Sequence, residues 1–145
     1  SEDGKWQVVR EGRKVNIIDR TANSCSCSRM FLTYMSGAVF DCSGMVLLLV
    51  ARGLGAGVFL FRFANGEWQY RGELEPISHQ GVITKRLQKI LLRDNRLIFV
   101  YNSRIRKYDV ETGKLVYNKA VRHAFETEGE DLTQKFKGIY RTGFY

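Results

Sequence analysis

Two histidines, three cysteines and a single proline in 145 residues leave little material for several kinds of chemistry. His79 and His123 lie far from the cysteines and from each other, without ligand spacing, and offer little for acid–base work. Cys25, Cys27 and Cys42 are odd in number. The C-x-C spacing of the first two is too short for a common zinc knuckle when no second Cys or His pair follows. No metal and no cofactor are therefore expected, and three thiols without an even framework suggest a reducing compartment rather than secretion. Also missing are G-x-S-x-G, H-E-x-x-H, C-x-x-C and G-x-x-x-x-G-K-[ST], so no catalytic constellation stands out and the chain reads as a non-enzyme. The longest apolar run, Met45 to Ala51, is far short of the ~20 residues that span a bilayer. The first residue is Ser1, so the numbering starts either after a removed leader or at a trimmed boundary.

What is present is apolar and basic. A hydrophobic share of 44% and an aromatic share of 12% are ample for a core, and a chain of this length matches one domain, residues 1–145, burying roughly two-thirds of its unfolded surface. Twenty-three Lys and Arg against fifteen Asp and Glu give a formal charge of +8. A field of that sign concentrates phosphates, which points to RNA or single-stranded nucleic acid; the plainer alternative is solubility alone.

Along the chain, residues 6–11 (WQVVRE) and 14–19 (KVNIID) alternate on either side of Gly12-Arg13, the pattern of a hairpin. Residues 20–29 (RTANSCSCSR) are small and polar and read as a mobile basic loop. Residues 30–42 and 45–52 flank Ser43-Gly44. The second of these runs is too continuously apolar for a face open to water and belongs at the centre of the core. The glycine-rich 53–57 (GLGAG) lacks a following Lys-Ser/Thr and is read as a strand connection rather than a phosphate cradle. Residues 58–63 and 67–73 make a hairpin around Asn65-Gly66, ended by Pro76. The type of 77–92 is ambiguous, 96–102 and 104–110 read as strands, and the apolar steps of 116–136 predict a helix weakened at Gly129.

The informative cluster lies between 85 and 107, where Lys85, Arg86, Lys89, Arg93, Arg96, Arg104, Arg106 and Lys107 face one acid, Asp94. On a strand Arg104 and Arg106 project together and Lys107 takes the other face. Arg10, Arg13 and Lys14 form a second group, and Arg62 and Arg71 extend the charge. The expected RNA contacts are thus Arg10, Arg13, Lys14, Arg62, Arg71, Lys85, Arg86, Lys89, Arg93, Arg104, Arg106 and Lys107, acting on the phosphate backbone. Trp68, Tyr70, Tyr101 and Tyr108 lie near these cations, though strand aromatics more often face a core.

The stretch 37–52 (GAVFDCSGMVLLLVAR), preceded by Ser36 and followed by GLGAG, looks like a hairpin of the Whirly family of single-stranded nucleic-acid-binding proteins, and WQVVREGRKVNIID resembles that family's opening strands. Within it, the trypanosomatid mitochondrial guide-RNA-binding proteins are the most similar. The resemblance implies an α+β fold, predominantly antiparallel β, of two packed sheets with one or two helices. It also implies a homo- or hetero-tetramer with a related subunit, annealing of guide RNA with mRNA during RNA editing, and a mitochondrial matrix location, otherwise cytoplasmic or nuclear, with no membrane partner. A first helix would have to fall near 76–89, where it is poorly marked. A second resemblance competes: residues 96–117 and the run GMVLLLVARGLGAGVFLFRFANGEWQ are similar to blades of a WD40-like propeller, which implies a protein-interaction module completed by a longer chain or a partner.

Overall fold

Short strands joined by tight turns build most of the described chain. The computed structural model describes residues 1, 3–32, 34–41, 43–51, 57–76 and 87–136. Trp6–Glu11 (β1), Lys14–Asp19 (β2) and Ser24–Met30 (β3) form a three-stranded antiparallel meander. Met35–Phe40 (β4), Val46–Ala51 (β5), Gly57–Ala64 (β6) and Glu67–Pro76 (β7) form a four-stranded one. Leu87–Arg93 (β8), Arg96–Tyr101 (β9), Arg104–Asp109 (β10) and Leu115–Ala120 (β11) make a third. The short Glu130–Asp131 (β12) then returns to the far side of β8, giving the order β11-β10-β9-β8-β12. Positive φ at both central residues of Asn65-Gly66 and of Asp94-Asn95 marks turns of the hand that suits twisted strands.

The sheets stack face to face, and β5 explains why. Alternate residues of a strand face opposite ways, and all six residues of β5 are buried. Leu47, Leu49 and Ala51 pack with Trp6, Val15 and Ile17 of the first sheet, whereas Val46, Leu48 and Val50 pack with Leu87, Ile90, Leu97 and Phe99 of the third. The second sheet is therefore a filling between two others, with roughly 10 Å between neighbouring layers. Its first interface is aromatic: Trp6 meets Trp68 edge-on at 5.7 Å, Phe31 meets Phe59 at 5.0 Å, and the Arg29 guanidinium lies 3.7 Å from the Tyr70 ring centroid.

At the other interface Arg62 pairs with Glu111 at 2.9 Å, and the β10–β11 turn touches β7. Gly113 has φ +74, and a methyl group there would overlap the Arg71 carbonyl oxygen. Gly113→Ala should accordingly cost about 2–5 kcal/mol, the sum of a left-handed backbone penalty and overpacking, read as a lowered midpoint in urea.

This architecture corrects several expectations. The α+β fold of two packed sheets with helices is not formed: the described chain is almost all antiparallel β in three sheets. The predicted helix over 116–136 is instead β11, a crossing segment, β12 and one helical turn at 133–136. Its apolar residues serve separate places, because Ala124 covers the third sheet's outer side while Leu132 and Phe136 fill the second interface. The small polar stretch read as a mobile loop holds all of β3 but Met30; β3 is an edge strand whose ladder to β2 needs no apolar side chains. The helix placed near 76–89 falls largely on 77–86, outside the described residues, and 87–93 is strand. Cys42, His79 and residues 53–56 also lie outside them.

Candidate nucleic-acid interface

The expected cations do not share one surface. Arg10 lies on the same side of β1 as Trp6 and Val8, and its guanidinium donates to the Met35 carbonyl. Arg13 in the β1–β2 turn and Lys14 at the start of β2 are exposed. Arg62 is held by Glu111, and Arg71 is half-buried on β7 against the Gly113 turn. Lys85 and Arg86 fall outside the described residues. On the third sheet, Arg104 and Arg106 do project together, but toward the side of Phe99 and Tyr108 that meets the second sheet, with Arg104 donating to Asn118 Oδ1 at 2.6 Å. Lys89, Arg93 and Lys107 lie on the opposite, outer side.

That outer side is the most orderly concentration of charge in the described molecule. Register places Lys89, Val100, Ile105 and Lys119 in one row across four strands. The next row is Leu91, Ile98, Lys107 and Tyr117, and the third is Arg93, Arg96 and Asp109. Rows are about 7 Å apart and strands about 4.8 Å, so five cations ring a small apolar floor. Leu91, Ile98 and Val100 in that floor are each 1% exposed. Tyr117 stands between two ammonium groups, with Lys107 Nζ 4.8 Å and Lys119 Nζ 5.3 Å from its ring centroid.

Residues 122–129 cross this face on their way to β12. Ala124 seats on the apolar floor, and Glu126 reaches Arg93 at 3.5 Å and Lys107 at 3.8 Å. Glu128 also reaches Arg93 at 3.5 Å, and Lys89 Nζ sits 5.7 Å from the Phe125 ring centroid. Gly129, with φ +121, passes close enough to the Leu92 carbonyl that a side chain would collide with it.

Sequence reasoning missed Tyr117, Lys119, Glu126 and Glu128, all inside the stretch read as a helix. The signal for β11 was present, since Thr112-Gly113 separates two runs of strand-forming residues, KYDV and LVY. Among the described residues no group of three His, Cys, Asp or Glu is placed to hold a metal ion. Cys27 is half-buried, and burial pushes its thiol above the ordinary range.

No family model matches this chain, and no curated protein matches it in sequence. Among solved structures it is similar to a "putative 6-phosphogluconolactonase" from Bacteroides fragilis NCTC 9343, with 17% identity, a TM-score of 0.48, and coverage of 84% of this chain and 38% of that one. It is also similar to the Cps50 (Swd1) beta-propeller domain of Myceliophteria thermophila, with 13% identity, a TM-score of 0.47, and coverage of 88% and 44%. The chain spans less than half the length of either structure.

Proposed function

We propose that this chain is a non-catalytic binding platform that holds the phosphate backbone of a single-stranded RNA across the outer face of its third sheet. The observation that carries the reading is the ring of Lys89, Arg93, Arg96, Lys107 and Lys119 around an apolar floor, with Tyr117 among them. Separated cations suit a repeating phosphate chain, and a tyrosine between two of them offers a surface on which an unpaired base can stack. A rigid stack of sheets behind the face keeps the side chains in register. Annealing, a tetramer and a mitochondrial setting came only with the Whirly resemblance, whose helix-backed architecture is not formed among the described residues, and they form no part of the proposal.

Salt dependence tests it. Each phosphate neutralised by a single-strand binder contributes about 0.7 to the slope of log affinity on log salt. Three to five such contacts predict a slope between about −2 and −3.5 for a short oligouridylate. Affinity independent of salt would rule the reading out.

A protein-interaction module is the second reading, favoured by Leu115 and Val116, which are 44% and 43% exposed on the edge strand β11 beside the same face. Such a module would bind through apolar contact and an open strand edge, and RNA would not compete.

A further inference from the structure

The segment that crosses the basic face is tied down unevenly. At its start Val121 N–H donates to the Ser103 carbonyl at 3.0 Å, and at its end β12 pairs with β8. Between them, the contacts of residues 122–128 with the sheet run through side chains: the buried Ala124 methyl, Phe125 near Lys89, and the two glutamates on Arg93 and Lys107. Phe125 is 74% exposed although it is a large apolar residue, and the ion pairs are long for charge-assisted contacts. The Glu128 pair is open to solvent, its carboxylate side chain 82% exposed, and contributes little, about 0–1 kcal/mol, whereas the Glu126 pairs are partly buried. The strap is anchored through its backbone at both ends and held between them by side chains, at ion-pair distances of 3.5–3.8 Å.

What it carries matters more than how it is held. An acidic and aromatic run, Phe125-Glu126-Thr127-Glu128, lies on the cations assigned to the phosphate chain, with an acid where a phosphate would sit. We propose that residues 122–129 are a built-in competitor, which neutralises Arg93 and Lys107 in the free protein and is displaced when a nucleic acid takes the face. The proposal rests on the RNA reading above and specifies how that same site is regulated. Lys119 and Arg96 remain to meet the incoming strand first, and the strap then yields the other two cations. Only strands that reach across the sheet to Arg93 and Lys107 displace it, so the device discriminates against small anions.

The test compares three proteins against a labelled oligouridylate between about 50 and 200 mM salt. Glu126→Gln with Glu128→Gln should bind about tenfold tighter than the parent at an essentially unchanged slope, because the same cations meet phosphates in both complexes and only the cost of displacing the strap is removed. A control carrying Glu11→Gln and Glu67→Gln makes the same change in net charge away from this face and should gain less than about threefold in affinity through the general field alone. Amide hydrogen exchange at residues 125–128 should also quicken when the parent protein is saturated with the oligonucleotide. An unchanged affinity in the strap variant, a control that gains equally, or slower exchange in the strap would overturn the inference while leaving RNA binding intact. If the parent and both variants bind without salt dependence, the RNA reading itself fails and the inference with it.

Discussion

Leu48→Ala should lower the stability of the fold by about 3–5 kcal/mol, measured by urea unfolding as a fall in the midpoint with an unchanged slope. Leu48 is fully buried on the side of β5 that meets the third sheet. Truncation there loses the transfer energy of the side chain and leaves a cavity that neighbours held by two ladders cannot collapse to fill. Leu47→Ala should cost a similar amount, because it is equally buried on the opposite side, against the first sheet. Leu115→Ala on the exposed edge should change stability by no more than about 0.5 kcal/mol. The pair of large effects is what a middle layer requires. If either Leu47→Ala or Leu48→Ala cost less than about 1 kcal/mol, the sheet on that side would not be packed against β5.

Replacing Lys89, Lys107 and Lys119 together by glutamine should weaken oligouridylate binding about 100-fold near 0.1 M salt and flatten the salt slope by about 2, the share of three phosphate contacts. These three project from the outer face on β8, β10 and β11. Glutamine keeps most of the side-chain length, and none of the three is part of the buried core, so the fold should persist and its urea midpoint serves as the check. Two comparisons make the result specific. Arg13→Gln with Lys14→Gln removes charge from the β1–β2 hairpin, two layers away, and should weaken binding by less than about fivefold through the general field alone. Arg104→Gln with Arg106→Gln acts on the other side of the same strands, toward the second sheet. If that pair weakens binding more than the triple lysine variant does, the face has been assigned to the wrong side of the sheet.

How much of this was legible in the sequence varied with the kind of signal. Tight turns and alternation located the strands of the first hairpin, and Asn65-Gly66 located the β6–β7 turn, because these are local steric facts. The run from Val46 to Ala51 announced a strand buried on both sides, and it is the middle of the stack. The helix expected over 116–136 failed for a tertiary reason. Val121, Ala124, Leu132 and Phe136 have helical spacing but no single surface to bury against, while β11 gains a ladder along β10 and β12 one along β8. β3 was hidden because an edge strand of Ser and Cys is stabilised by its backbone pairing, which composition does not display. The Whirly-like reading rested on strand patterns that meanders of many folds share, and the strand pairings excluded its two helix-backed sheets.

The candidate site was visible as charge and invisible as geometry. Counting from 85 to 107 found the dense segment and parity separated Arg104 and Arg106 from Lys107, yet only cross-strand register joins Lys89 to Lys119 through Val100 and Ile105. The acids that oppose them, Glu126 and Glu128, lie well along the chain from Arg93 and arrive by a connection that no periodicity foretells.

The most direct measurement is amide chemical-shift mapping of the isotope-labelled protein during titration with a short oligouridylate. Binding on the outer face of the third sheet predicts that the perturbed amides cluster at Lys89, Arg93, Arg96, Lys107, Tyr117 and Lys119 and along residues 124–128, with the first sheet silent. Perturbations confined to the β1–β2 hairpin, or none at saturating oligonucleotide, would contradict it.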